Sequence, residues 1–264
     1  MAFARVNGVV LHYKVRGPEG RPVLGFANSL GTDFRIWDEV AVRLEDEFRL
    51  VFHDKRGHGL SEATPQPYAM TDHVRDFAAL LDHLSIAGAA IVGLSVGGMI
   101  AQGLASLRPD LVRALVLCDT AHKIGNDELW NTRIKTANES GIAPMADGIM
   151  QRWFTPAFRR PENPDYIGYL AMLTRQSPEG YAGTCAALRD ADLTEATRAL
   201  KAPTLCIVGD QDGSTPPDLV RELAGLIEGA RFEIIKDAGH LPCIEQPEKT
   251  AELIRSFLKE AGLG

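Results

Sequence analysis

Three residues far apart in the chain have the types and settings that acyl chemistry needs. Ser95 stands in the middle of Gly93-Leu94-Ser95-Val96-Gly97, between an apolar strand-like run and a helical pattern. A serine on a sharp strand-to-helix turn projects its hydroxyl above the sheet. The crowded backbone then demands small residues two positions to either side. Gly93 and Gly97 meet that demand. A helix opening at Val96 aims its free N–H groups and the positive end of its dipole at the same point. Such a serine can attack an acyl carbon once a base takes its proton.

The chain has seven histidines. His12 and His53 fall in or beside strand patterns, and His73 and His83 fall in a helix, where a solvated face is the plain expectation. His240 stands in Asp237-Ala238-Gly239-His240, just past a strand pattern and hence at the carboxyl edge where ligands gather in open α/β sheets. It is the expected base. The orienting carboxylate is expected from Gly209-Asp210-Gln211-Asp212, also at a strand's carboxyl end. Asp212 lies further into that loop and can reach His240, while Asp210 is expected to shape the turn. The developing oxyanion needs two N–H donors. Val96 follows the nucleophile and supplies one. Leu30, in the loop after an early strand, is expected to supply the other, with Ser29 as the alternative. Asp54-Lys55-Arg56-Gly57-His58-Gly59-Leu60-Ser61 lacks the third glycine and the helix of a dinucleotide fingerprint. It reads as a structural loop, with Asp54 and Arg56 satisfying local backbone.

The elements that must position these residues follow from periodicity. Strand patterns run over Phe3–Val6 and Val9–Val15, around the turn Asn7-Gly8. Others cover Pro22–Ala27, Phe48–His53, Ala89–Leu94, Ala114–Leu117, Thr204–Val208 and Phe232–Ile235. Trp37, Val40, Ala41 and Leu44 repeat at helical spacing. A further helix with Thr71 as its cap presents Val74, Phe77, Ala78, Leu81 and Leu84. Helices are also expected over Val96 to about Leu107, Pro217–Glu228 and Glu248–Glu260. Apolar strands alternating with helices predict an α/β fold, a mostly parallel sheet covered on both faces with an antiparallel hairpin at one edge. Residues 121–198 show helical patterns and no strand. They are expected to form a helical cap inserted into a core made of 1–120 and 199–264.

The 264 residues suit one such domain. A net charge of −7 disfavours nucleic acid and requires a local cation for any anionic substrate. No run is long and apolar enough to span a bilayer, and the first residues lack a signal-peptide core, so no membrane partner and a cytoplasmic location are expected. Cys118, Cys185, Cys206 and Cys243 lack metal-ligand spacing, and Cys118 and Cys206 read as buried small hydrophobes. No metal and no cofactor are implied, and the oligomeric state is not readable.

These residues resemble the α/β-hydrolase superfamily over essentially the whole chain. The likeness rests on Asn28 to Gly31, Asp54 to Ser61, the turn around Ser95, Gly209 to Asp212 and Asp237 to His240. The order Ser95, Asp212, His240 is the order used in that fold. Many members have His-Gly where this chain has Asn28-Ser29. Asn28 to Thr32 followed by Trp37, Cys118 to Ala121, Trp130 to Ile134 and Arg152 to Pro156 are similar to the 3-oxoadipate enol-lactonases of the β-ketoadipate pathway.

That resemblance implies a small lactone substrate, 3-oxoadipate enol-lactone, opened through a serine acyl-enzyme. Its carboxylate needs a cation, and Arg133, three residues after Trp130 on nearly the same helix face, is the expected one. Trp130 and Trp153 are expected to wall the pocket. The alternatives are a general carboxylesterase, another lactonase, a cofactor-free perhydrolase, or a small-molecule receptor built on the same pocket.

Overall fold

The computed structural model describes residues 2–264. Eight strands form one sheet: β1 (Ala2–Val6), β2 (Val9–Arg16), β3 (Val23–Ala27), β4 (Arg49–His53), β5 (Ala89–Leu94), β6 (Val112–Cys118), β7 (Thr204–Gly209) and β8 (Arg231–Ile235). Their order is β1-β2-β4-β3-β5-β6-β7-β8. β1 pairs with β2, and β2 with β4, antiparallel, and every later pairing is parallel. The sheet is therefore the expected one, with the hairpin at its edge. Every residue of β5 is buried, which requires cover on both faces and explains why its sequence shows no alternation.

The helices of the covering layers are α1 (Asp38–Leu44), α2 (Met70–His83), α3 (Val96–Leu107), α9 (Pro217–Leu226) and α11 (Pro247–Glu260). α1 packs against α11, and α2 against α3. Between β6 and β7 lie α4 (Asp127–Ser140), α5 (Ala143–Trp153), α6 (Pro164–Thr174), α7 (Pro178–Asp190) and α8 (Thr194–Arg198). α4 packs on α5 and α7, and α5 on α6, whereas α8 packs on α3 and α9. The short α10 (Pro242–Glu245) leads into α11. No helix among the described residues is long and apolar enough to cross a membrane. All four cysteines are buried and unpaired.

Three expectations need correction. Ala69, not Thr71, caps α2, and its N–H is accepted by Asp72 Oδ2 at 2.9 Å. His73 is buried rather than solvated, because α7 lies against α2 and brings Thr184 Oγ1 to 3.4 Å from its ring. Arg56 serves no backbone group. It meets the Asp76 carboxylate of α2 through Nε at 2.6 Å and Nη2 at 2.7 Å.

Asp76 is 1% exposed. Burial pushes its carboxyl up, against the opposing pull of Arg56 and Asn7. Arg56→Ala would leave that charge with Asn7 alone. Urea unfolding at neutral pH should show a loss of about 3 kcal/mol. The loss should shrink in acid, because a group with a raised folded pKa costs most when ionised and nothing once protonated in both states. A loss independent of pH would contradict the pairing.

Candidate active site

Ser95 sits between β5 and α3 with φ 58° and ψ −121°, a left-handed backbone that non-glycine residues rarely adopt. Two bonds hold it there. Ser95 N–H donates to Cys118 O at 3.0 Å, and Thr120 Oγ1 donates to Ser95 O at 2.6 Å. The flanking glycines are sterically required. A Cβ on Gly93 would meet Gly97 O at 2.3 Å, and one on Gly97 would meet Ala27 O at 2.1 Å. The turn is thus wedged against β3 and β6, and the hydroxyl is left at the carboxyl edge of the sheet.

His240 and Asp212 come from the loops after β8 and β7. His240 Nδ1 lies 2.9 Å from Asp212 Oδ2, and both side chains are almost wholly buried. Asp212 also accepts from Ser214 N at 2.7 Å, Thr215 N at 3.1 Å and Thr215 Oγ1 at 2.7 Å. Burial opposes its ionisation, but His240 and these donors outweigh it and hold the carboxyl below its usual range. Asp212 therefore stays an acceptor and fixes the imidazole so that Nε2 is the free nitrogen. Asp210, expected to shape its own turn, instead ties two loops: its Oδ1 accepts from Ala238 N, in the loop after β8, at 3.3 Å.

Ser95 and His240 line one small cavity of about 50 Å³. No hydrogen bond joins them in this structure. Catalytic hydrogen bonds are often long before substrate binds, so the shared cavity is the informative observation. Leu30 and Ser29 line it as well. Neither the Leu30 nor the Val96 N–H is engaged by another group among the described residues. Asn28 shapes the loop from within by donating from Nδ2 to Thr32 O and, at 3.2 Å, to Thr32 Oγ1.

The remaining walls come from α4, α5 and α7. Trp130, Arg133 and Trp153 all line the cavity, with Ile124, Leu129, Ile149 and Leu188. The Arg133 guanidinium stacks 5.2 Å over the Trp130 ring, and Trp130 Nε1 donates to Ile124 O at 2.7 Å. Sequence reasoning missed Arg152 and Tyr181, which also line the cavity. Arg152 was visible beside Trp153 as a second cation. Tyr181 is 1% exposed and its hydroxyl has no partner among the described residues. No acidic group lies within ion-pair distance of Arg133 or Arg152 among the described residues.

Asp119 was missed too. It follows β6, and its Oδ1 accepts from Gly209 N at 2.9 Å. Burial first, and then the charge of Asp212, push its carboxyl well above the usual range. Asp119, Asp212 and His240 have ligand atoms within 4.8 Å of one another. The donor set suits a metal poorly, because His240 Nδ1 is already committed to Asp212 and Asp119 favours its neutral form.

The backbone ties these loops to the end of α5. His240 N–H donates to Trp153 O at 2.8 Å, and Gly213 N–H to Arg152 O at 3.3 Å. Glu245 accepts from Gly239 N at 2.7 Å and from Thr155 Oγ1 at 2.6 Å. The helical wall and the base loop are therefore one bonded unit. A larger groove of about 730 Å³ lies elsewhere, lined among others by His12, Asp54, Arg35 and Arg175. It contains none of the serine, histidine and aspartate described above. Its His12–Asp54 pair, 2.7 Å apart, fastens β2 to the loop after β4.

A family model described as alpha/beta hydrolase fold matches residues 22–247. The chain is 34% identical to 3-oxoadipate enol-lactonase 2 of Acinetobacter baylyi over 252 residues, covering 95% of this chain and 94% of that protein. Among solved structures, the enol-lactonase from Burkholderia xenovorans LB400 superposes with a TM-score of 0.95 at 36% identity, covering 98% and 100% of the two chains. A malate-bound thermophilic esterase from Thermogutta terrifontis superposes with a TM-score of 0.91 at 29% identity, covering 98% of each.

The wedge at Gly97 has a measurable consequence. Gly97→Ala should lower stability in urea by roughly 1–3 kcal/mol, as overpacking does, and cut esterase activity by displacing the Ser95 turn. Unchanged stability and rate would contradict the close approach to Ala27.

Proposed function

The chain belongs to the α/β-hydrolase fold family, and on that premise we propose that it hydrolyses 3-oxoadipate enol-lactone through an acyl-enzyme on Ser95. The observation that carries this reading is the buried His240–Asp212 pair, 2.9 Å apart, whose histidine lines the same cavity as Ser95. The lactone assignment is supported by the likeness to the Acinetobacter and Burkholderia enol-lactonases. It is also supported by two unpaired arginines, Arg133 and Arg152, at the cavity of a chain with net charge −7. In this reading α4 to α7 act as the cap.

His240 Nε2 takes the Ser95 proton as Oγ bonds to the lactone carbonyl carbon. The carbonyl oxygen becomes negative and is held by the N–H groups of Leu30 and Val96. Collapse breaks the ring C–O bond. The departing enol oxygen takes the proton from His240, and the enol settles as the ketone. Water then attacks the acyl-enzyme and gives one proton to His240, Ser95 Oγ recovers that proton as its bond to carbon breaks, and the released carboxylic acid loses its remaining proton to solvent. Asp212 holds the imidazole tautomer throughout and offsets the charge of the imidazolium.

The acetate carboxylate of the substrate is bound by Arg133, whose stacking on Trp130 keeps the guanidinium plane oriented. Trp153 and Tyr181 bound the rest of the ring site. Ser95→Ala should lower kcat on the order of 10⁴-fold or more, read by the ultraviolet loss of the enol-lactone. Retained turnover would overturn the reading. Arg133→Ala should raise KM for the lactone roughly tenfold or more, while leaving KM for a neutral ester almost unchanged. Equal effects on both would reject the carboxylate role and favour a general carboxylesterase.

A further inference from the structure

Lys55 is a buried cation that the mechanism above does not use. It is 2% exposed. No carboxylate lies within ion-pair distance of it among the described residues. Its Nζ donates to a single group, the carbonyl oxygen of Ser29, at 2.5 Å. Burying an ammonium without a counterion is expensive, and a loop that needed only packing would be better served by an apolar side chain.

The partner of Lys55 explains why its position matters. The Ser29 C=O and the Leu30 N–H are the two ends of one peptide unit. That unit is trans, since the one cis bond among the described residues is Gln66-Pro67. In a planar trans peptide the C=O and N–H point in opposite directions. A cation holding the oxygen on the inner side therefore turns the Leu30 N–H towards the outer side, where Leu30 lines the cavity with Ser95. Thr32 Oγ1, at 2.9 Å, and Thr32 N, at 3.4 Å, donate to the same oxygen. The next N–H, of Gly31, donates to His58 Nε2 at 3.0 Å and is thereby taken out of competition.

We infer that Lys55 is a positioning residue for the oxyanion site: its ammonium fixes and polarises the Ser29–Leu30 peptide, so that Leu30 N–H is presented to the oxygen that becomes negative. This rests on the proposed acyl-enzyme chemistry at Ser95. Positive charge at the far end of the peptide strengthens the near N–H as a donor, and this effect grows as the oxygen acquires charge. Lys55 thus acts on the transition state more than on bound substrate.

The charge of Lys55 depends on pH. Burial pulls its pKa down to about 7, opposed by Asp54 and then Asp33. The other titratable groups coupled to it are His53, His58 and His73, each pushed down chiefly by burial and so uncharged at neutral pH. The ammonium is present below about pH 7 and is lost as pH rises through that value. Oxyanion stabilisation should follow it.

The test uses the full chain with p-nitrophenyl acetate as substrate and phenylboronic acid as a tetrahedral mimic. Lys55→Met, confirmed folded by its thermal melt, should lower kcat roughly ten- to a hundredfold at about pH 6.5, with KM within about threefold. It should weaken boronate inhibition by the same factor as kcat/KM, and remove the fall in kcat expected of the wild type as the Lys55 ammonium loses its proton. A folded Lys55→Met protein with wild-type kcat, or with a loss confined to KM, overturns the inference. If Lys55→Met does not fold, Lys55→Gln is measured in the same way: a comparable loss of kcat with KM within about threefold supports the role, and wild-type kcat overturns it. Ser95→Ala separates the two proposals. Its retained turnover would sink the acyl-enzyme reading itself, whereas its inactivity beside an unaffected Lys55→Met would sink only the role of Lys55.

Discussion

The bond between His240 Nδ1 and Asp212 Oδ2, 2.9 Å long and shut away from solvent, is the interaction on which the rest of the site depends. A buried carboxylate is costly unless its lone pairs are met. Here three donors from Ser214 and Thr215 meet them, and His240 takes the remaining position. The result is an acceptor that stays ionised without water, and an imidazole with only one nitrogen free. Reversing which nitrogen carries the proton would turn a base towards the serine into a donor. The neighbouring Asp119 is pushed up by its burial and then by the charge of Asp212.

Two further constraints bring chemistry to that bond. The sheet delivers Ser95, Asp212 and His240 to one edge, because β5, β7 and β8 run parallel and each ends in the loop that carries the residue. The end of α5 then bonds to the His240 and Asp212 loops through Trp153 O and Arg152 O. The backbone at the end of α5 is therefore fastened to the loops that carry His240 and Asp212. On the opposite side, the loop from Asp54 to Ser61 supports the stretch around Leu30. Lys55 holds Ser29 O, His58 holds Gly31 N, and Asp54 Oδ1 accepts from Phe34 N at 2.9 Å.

Much of this was legible in the sequence, for identifiable reasons. The turn around Ser95 is a steric requirement, and steric requirements write themselves as glycines at fixed spacing. The strands of a covered sheet read as apolar runs, so β5 and α3 have the expected limits, while β6 extends beyond its apolar centre because pairing with β5 continues past it. What could not be read were partners distant in sequence. Arg56 finds Asp76 twenty residues on, across a helix face. His73 is buried where α7 packs on α2 and the Tyr68 ring meets it edge-on. Lys55 sits in a polar loop, where the common fate of a lysine is solvation, and nothing local announces its burial. The proposed oxyanion donors belong to the backbone, so no side-chain pattern distinguishes Leu30 from Ser29, and both residues line the cavity.

The central claim is that the reaction passes through a covalent bond to one serine. It is tested most directly by acid-quenching p-nitrophenyl acetate turnover within the first cycle and mapping the digested protein by mass spectrometry. The account predicts an acetyl group on the peptide that contains Ser95, and on Ser95 within it, disappearing as turnover proceeds. Turnover with no acetylated peptide at any quench time, or with the acetyl group on another residue, would contradict it.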